Sequence, residues 1–335
     1  MPFWRKHSFL FMLSFLMASS AVFSQTQIKG FLAADASLSN NKLSFGFGEQ
    51  DLFITSEVTD KISFLGETVF RYDASAGSNF GISIERVVIK YNLKGNHNIL
   101  IGKHHTPVNY WNDTYHHGRV FFPTVDRPLV FSENILPLHT TGISLQGHDL
   151  GKVKFGYDLM VGNGIGSGEI QDNDKNKSVT AAVHIKPVDK LRIGASWYTD
   201  VVSKGAEVRG AIVQHKVNQN LLTGSVAYFG KKFEVLAEGT LANNYTDTTG
   251  SQNTLASYLY AGYKVTKKLV PYVRVDNIDY DKGEVFYRKN NVTSFVGGFR
   301  YEFSYLAVLK LEYQYLQSAL TGHANKCTVQ FAVGF

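Results

Sequence analysis

Five of the eleven histidines, His104, His105, His116, His117 and His139, fall in or beside one stretch of the chain. Asp113, Asp126 and Glu133 add carboxylates there, and Lys103, Arg119 and Arg127 add cations. Imidazole and carboxylate together suit Zn²⁺ or another borderline metal. Imidazole with an ordinary pKa of about 6.5 is also a charge that appears between neutral and mildly acidic pH. Neighbours on an extended chain point to opposite faces, so each His-His pair offers one ligand per side. His116 and His117 are therefore weak metal candidates. Histidines that line a passage, or hold the segment by hydrogen bonds, are the plainer reading.

Other chemistry is thinner. His139, Ser144 and Asp149 make a nucleophile-base-acid trio by residue type, but at no diagnostic spacing. Gly162-Asn-Gly-Ile-Gly-Ser-Gly168 has no helix pattern after it and reads as a flexible loop, not a phosphate cradle. Asp172-Asn-Asp174 lacks the downstream glycine and bidentate glutamate of a calcium loop. Cys327 is the only cysteine, which excludes a disulfide framework and a CxxC metal site. No cofactor is expected.

The histidine-bearing stretch, 105 to 138, is the longest gap between alternating segments. It holds four of the seven prolines, at 107, 123, 128 and 137, together with Tyr110, Trp111, Phe121 and Phe122. So long a connection is functional or disordered, and this aromatic content suits a folded segment. Around it, from Gln27 onward, segments of about ten residues keep an apolar/polar period of two, which is the strand period. Leu191, Ile193, Ala195 and Trp197 share one face of such a segment, and Arg192, Ser196, Tyr198 and Asp200 the other. Leu309, Leu311, Tyr313 and Tyr315 likewise oppose Lys310, Glu312 and Gln314. The same parity turns Lys154 and Asp158, His184 and Lys186, Glu234 and Glu238, Arg274 and Asp276, and Arg300 and Glu302 inward.

Short polar connections are expected at 58–61, 93–96, 147–151, 187–190, 230–232, 266–268 and 304–305. Long ones are expected near 39–48, 73–79, 105–138, 163–177, 203–220, 244–253, 279–291 and 318–325. These join about sixteen strands, and an even number brings both chain ends to the rim of short turns. The last segment, Cys327-Thr-Val-Gln-Phe-Ala-Val-Gly-Phe335, alternates up to a terminal aromatic. The expected fold class is all-β: a transmembrane antiparallel β-barrel with the third long loop folded into its lumen.

Composition agrees. The chain has 24 Phe, 18 Tyr and 30 Gly, with a mean hydropathy of -0.12. Only alternate residues of a membrane barrel meet lipid, so average hydropathy stays low while aromatics gather in interfacial girdles. Tyr258, Tyr260, Tyr263, Tyr301, Tyr305, Tyr313 and Tyr315 are the expected girdle. Residues 1–24 pair Arg5, Lys6 and His7 with an apolar run of about eleven residues and small residues before Gln25, a secretory signal pattern. The barrel domain is then 25–335, in the outer membrane of a Gram-negative cell. Without Arg5 and Lys6, 32 Lys and Arg face 28 Asp and Glu. That balance of +4 is too mild to imply nucleic acid as a partner.

An even-stranded barrel with a terminal Phe and a long third loop resembles the sixteen-stranded bacterial porins along the whole mature chain. Gly102-Lys-His-His-Thr-Pro-Val-Asn-Tyr-Trp111, Tyr115-His-His-Gly118 and Pro137-Leu-His-Thr-Thr-Gly142 look like a porin-like group. The likeness to phosphate-selective porins is looser, since Lys103 is the only lysine between Gly102 and Leu138. The resemblance implies passive diffusion of small hydrophilic solutes or ions, with residues 105–138 narrowing the pore. It carries no enzymatic activity with it. The expected constriction residues are Lys103, His104, His105, Tyr110, Trp111, Asp113, His116, His117, Arg119, Asp126, Arg127, Glu133 and His139. Outer-membrane lipid and the permeating solutes are the expected partners, and a homotrimer is an open alternative. The competing readings are a barrel enzyme of phospholipase or protease type, a metal-ion-selective channel, and a non-conducting adhesin or assembly partner.

Overall fold

Alternation of apolar and polar residues makes strands, and strands in lipid must close on themselves to satisfy every backbone N–H and C=O. The computed structural model describes residues 25–72, 80–115, 118–165, 172, 174–208, 211–287 and 291–335. The expected leader, 1–24, lies outside the described residues. The strands are β1 (Thr26–Ser39), β2 (Lys42–Glu57), β3 (Ile62–Tyr72), β4 (Phe80–Lys94), β5 (His97–His105), β6 (His139–Leu150), β7 (Phe155–Gly162), β8 (Ser178–Ile185) and β9 (Leu191–Val202). After a two-stranded flap, β10 (Glu207–Val208) and β11 (Ala211–Ile212), come β12 (Val217–Phe229), β13 (Phe233–Thr246), β14 (Gly250–Tyr263), β15 (Leu269–Tyr280), β16 (Val292–Ser304), β17 (Ala307–Ser318) and β18 (Gly322–Gly334). All except the flap form one closed antiparallel barrel of sixteen strands, each paired with its neighbours along the chain and β1 paired with β18.

Closure is made by the chain ends. Phe31 pairs with Gly334 and Ser39 with Lys326, and Gly30 and Phe335 exchange both backbone hydrogen bonds at 3.0 Å. A Cβ on Gly30 would sit 2.4 Å from the Phe335 ring. Glycine at 30 is thus what lets the terminal aromatic lie flat on the wall.

The two faces sort as the period demands. Ile193, Trp197, Leu222 and Leu241 are exposed to the lipid side, while Tyr198, Asp200, Glu234, Glu238, Arg274, Lys310 and Glu312 are buried in the interior. Arg or Lys at mid-membrane on the outer face would cost about 2–4 kcal/mol each, so the sorting is strongly enforced.

Several local expectations need correction. Tyr258 and Tyr260 point into the barrel, where their hydroxyls donate to Glu238 and Glu234; Tyr263, Tyr305 and Tyr313 are outward and exposed. Lys154 sits in the β6–β7 turn with φ 47°, and Lys186 lies beyond β8, paired to Asp149 at 2.9 Å. Three expected long loops are tight turns. Asn40 and Asn41, at φ 50° and 61°, close a two-residue hairpin of the I′ kind, and residues 247–249 and 319–321 close two more. The strand ladders there persist up to the turns although the apolar/polar alternation fades. Asn243 Nδ2, for instance, still reaches Ser251 Oγ and Asn253 Oδ1 across the β13–β14 pair. The connection expected at 73–79 lies outside the described residues.

Candidate functional site

Between β5 and β6 the chain leaves the wall and makes only two short helices, α1 (Tyr110–Thr114) and α2 (Leu129–Ser132). A segment with so little regular structure carries many backbone N–H and C=O groups that must be satisfied if buried. Asn109 caps α1, its Oδ1 accepting from Asn112 N at 2.7 Å. The Asn112 amide then donates to Thr106 O and Leu138 O, both at 2.9 Å, tying the two ends of the segment together.

The barrel wall satisfies the rest with charged side chains. Carboxylates accept from segment N–H groups: Glu238 from Tyr110 at 2.5 Å and Trp111 at 3.0 Å, Glu312 from Val125 at 2.9 Å, and Asp276 from Leu129 at 3.1 Å. Cations donate to its carbonyls: Arg300 to Pro123 at 3.2 Å, Arg274 to Asp126 at 2.7 Å, and Lys310 to Arg119 at 2.6 Å and Thr124 at 2.9 Å. On the opposite side Gly118 N reaches Asp51 Oδ2 at 3.3 Å, and Phe121 packs edge-on to Phe31. Contacts to β13, β15, β16 and β17 together with β1 and β2 put the segment inside the barrel. Trp111 is its apolar anchor, fully buried against Phe122, Phe131, Tyr115 and Tyr258.

Two cavities lie along the wall that this packing leaves open. One is lined by Gln27, Glu57, Arg86, Lys90 and His104. The other lies between α1 and strands β6 to β12, lined by Asp113, Tyr110, Asp158, His184 and Arg192. Arg192 is the pivot of the second: its guanidinium is 3.0 Å from Asp113 Oδ2, 3.2 Å from His184 Nδ1, and stacks over the Tyr110 ring at 5.0 Å. Interior parity identified Arg192 and His184 as lumen residues, yet nothing in the sequence paired them with Asp113.

The expected constriction residues divide into groups. Tyr110 and Asp113 face the Arg192 cavity. Trp111 is an anchor within the segment. Arg119 pairs with Asp126 at 3.0 Å, Asp126 with Lys326 at 3.1 Å, and Arg127 with Glu49 at 3.5 Å. Burial pushes the Asp126 carboxyl up, but Lys326 and Arg119 outweigh it and hold the group below the usual carboxylate range. Glu133 follows α2. His104 points inward, its Nε2 3.3 Å from Ser144 Oγ and its Nδ1 3.2 Å from His105 O. His116 and His117 lie outside the described residues.

Lys103, His105 and His139 lie at the upper end of β5 and the start of β6, beside β4. Lys103 is buried, whereas Ile101 is exposed, and β5 pairs with β4 only from Val87 downward. Its Nζ donates to Ile84 O at 2.8 Å, satisfying a carbonyl on the upper half of β4. His105 and His139 are direct cross-strand partners with rings 5.4 Å apart, and His139 Nε2 is 3.5 Å from Glu85 Oε2. These side chains fill the seam where β4 diverges from β5. Gly102 opens it, with φ 128° and a Cβ position 2.0 Å from Val87 O that no side chain could occupy.

Among the described residues no group of three or more His, Cys, Asp or Glu is placed to hold a metal ion. The His139, Ser144, Asp149 trio does not converge, since the three are spread along β6 and Asp149 pairs with Lys186. Asp172 and Asp174 cap turns, accepting from Asp174 N at 3.1 Å and Asn176 N at 2.7 Å.

No family model matches the chain, and no curated protein matches it. Solved structures do. OmpT, an outer membrane protein of Vibrio cholerae, in its in-vitro folded trimer form, is 14% identical over 93% of this chain and 99% of its own, with a TM-score of 0.67. The anion-selective porin from Comamonas acidovorans is 11% identical over 93% of this chain and 100% of its own, with a TM-score of 0.68. The outer membrane channel DcaP of Acinetobacter baumannii is 13% identical over 94% of this chain and 99% of its own, with a TM-score of 0.61. This is the fold of the outer-membrane porins. At 11–14% identity the likeness is one of fold.

Proposed function

We propose that the protein is an outer-membrane porin through which small hydrophilic solutes or ions diffuse passively, narrowed by residues 105–138. The observation that carries this reading is the asymmetry of the interior. Charged side chains of β13 and β15–β17 are bonded to the backbone of the inserted segment, while Arg192, His184, Asp113 and Asp158 line a cavity on its other flank. Selectivity then rests on that flank, where one guanidinium is shared between an aspartate and an imidazole at a polar cavity. No turnover step is required of any residue. Export across the inner membrane by residues 1–24 and assembly as a homotrimer belong to the same proposal, the latter supported by the trimer form of OmpT among similar structures.

Purified protein inserted in planar lipid bilayers should show discrete conductance steps, and a salt gradient should give a reversal potential. Replacing Arg192 with Gln should move that potential toward cation preference. Absence of conductance from folded, inserted barrels would refute the reading.

A further inference from the structure

The rim of short turns is strongly basic. Seven connections close it, at 58–61, 95–96, 151–154, 186–190, 230–232, 264–268 and 305–306. They carry ten lysines against two carboxylates, Asp60 and Asp189. Nine of the ten lie on four consecutive connections, β6–β7, β8–β9, β12–β13 and β14–β15, and form an arc along half of the sixteen strands. Residues 1–24, which lead into β1, hold Arg5 and Lys6 and no Asp or Glu, so they bring no carboxylate to this end of the barrel.

The arc is rigid. Backbone hydrogen bonds join the feet of neighbouring turns: Lys186 N to Val153 O at 2.8 Å, Phe229 N to Lys190 O at 3.1 Å, Lys264 N to Lys232 O at 2.7 Å, and Glu302 N to Lys268 O at 2.8 Å. Two of the ammonium groups serve the wall itself, Lys186 on Asp149 at 2.9 Å and Lys264 on Glu234 at 3.2 Å. The other eight lysines are exposed, and among the described residues no carboxylate pairs with them. Lys231, Lys232, Lys267 and Lys268 crowd two adjacent turns. Like charges held this close repel one another, and anions from outside the chain relieve that repulsion.

The neighbours of these lysines select the anion. Each connection of the arc sets an exposed apolar side chain beside its lysines: Val153 between Lys152 and Lys154, Val188 just before Asp189 and Lys190, Phe233 after Lys232, and Val265 after Lys264. Phe233 packs on Tyr263 across the β13–β14 pair, with ring centroids 5.2 Å apart. Apolar side chains next to long ammonium stems suit the edge of a bilayer, where the first enter the hydrocarbon and the second reach the headgroups. An acidic protein in solution would satisfy the ammonium groups and leave the apolar row in water. We propose that this arc binds anionic phospholipid headgroups in the leaflet that meets the short-turn rim. The proposal stands beside the channel reading and requires no conduction.

The mature barrel would be reconstituted in phosphatidylcholine vesicles containing phosphatidylglycerol, and spin-labelled forms of the two lipids compared by electron paramagnetic resonance for the fraction immobilised at the protein. Phosphatidylglycerol should be enriched about threefold or more over phosphatidylcholine. In the parent, raising the salt to about 0.5 M should reduce that enrichment, because the Debye length falls well below the roughly 10 Å of 0.1 M salt. Lys231→Gln, Lys232→Gln, Lys267→Gln and Lys268→Gln together should at least halve it. Lys42→Gln, Lys175→Gln, Lys204→Gln and Lys282→Gln, the same change of charge at exposed positions of the opposite rim, should leave it intact. No preference in the parent, or equal loss in the two variants, would overturn the proposal. A parent without lipid preference that instead binds polyglutamate from solution would overturn it in favour of an acidic protein partner. Conductance of the same preparations tests the channel separately: enrichment without current keeps the lipid site and removes the channel, while current without enrichment does the reverse.

Discussion

Glu238 is the wall residue on which the inserted segment depends most directly, and its replacement by Gln isolates that dependence. The carboxylate accepts from Tyr110 N, Trp111 N and Tyr258 Oη. Glutamine keeps one acceptor oxygen and turns an NH₂ group toward the second donor. One charge-assisted hydrogen bond is worth about 1.5–3 kcal/mol and a stranded buried N–H costs about 1–3 kcal/mol, so docking of α1 should weaken by about 3 kcal/mol. Burial of the Trp111 side chain opposes release with about 5 kcal/mol, taking roughly 200 Å² at about 25 cal/mol per Å². The variant should therefore stay docked, with an undocked population raised about a hundredfold. In protein that lacks residues 1–24 and hence Trp4, Trp111 reports this directly once Trp197, exposed on the lipid face, is replaced by Phe. Iodide quenching of Trp111 should rise, and single-channel traces should show brief openings to higher conductance. Adding Trp111→Ala should make the high-conductance state dominant. If Glu238→Gln shows the parent's quenching and current noise, the carboxylate does not hold the segment and the reasoning fails.

Replacing residues 108–136 by a short Gly/Ser linker should raise unitary conductance, and an unchanged value in an inserted barrel would place the segment off the ion path. Gly102→Val should block pairing of β5 with β4, because its Cβ would meet Val87 O at 2.0 Å; on unheated SDS gels the folded, fast-migrating band should be lost, whereas Gly224→Val, with open space beside it, should keep it. Asp126 has a depressed folded pKa, so its ion pairs should contribute fully above about pH 4 and be lost as pH falls through the lower folded value. Trp111 quenching should thus be flat from pH 7 to 5 as far as Asp126 is concerned, and Asp126→Asn should show at pH 7 the looser state that the parent reaches only below about pH 4. Any pH-dependent selectivity between pH 7.5 and 5.5 should survive His105→Ala with His139→Ala, since both rings sit in the β4–β5 seam; its loss in that variant would return them to the ion path.

The barrel and its strand number were legible in the chain because burial on one face of a strand has a period of two. That period persists whatever lies opposite, as Leu191 to Asp200 and Leu309 to Tyr315 illustrate. The terminal Phe335 and the long aromatic connection 105–138 were legible for the same local reason, as was the inward face that carries Arg192, Glu238 and Lys310. Parity names a face and no partner, and there the sequence stops. Glu312 meets Val125 N across 187 positions, and Lys310 meets Thr124 O across 186; only ring closure brings them together. Lys103 illustrates the same limit: its type and position suit a constriction, but that its ammonium donates to the carbonyl of Ile84 is visible only where β4 leaves β5. Tertiary structure decided which charges serve the backbone of the inserted segment and which face the passage. A buried peptide group must be hydrogen-bonded, and the nearest wall side chains are taken for that purpose before any remain to meet a solute.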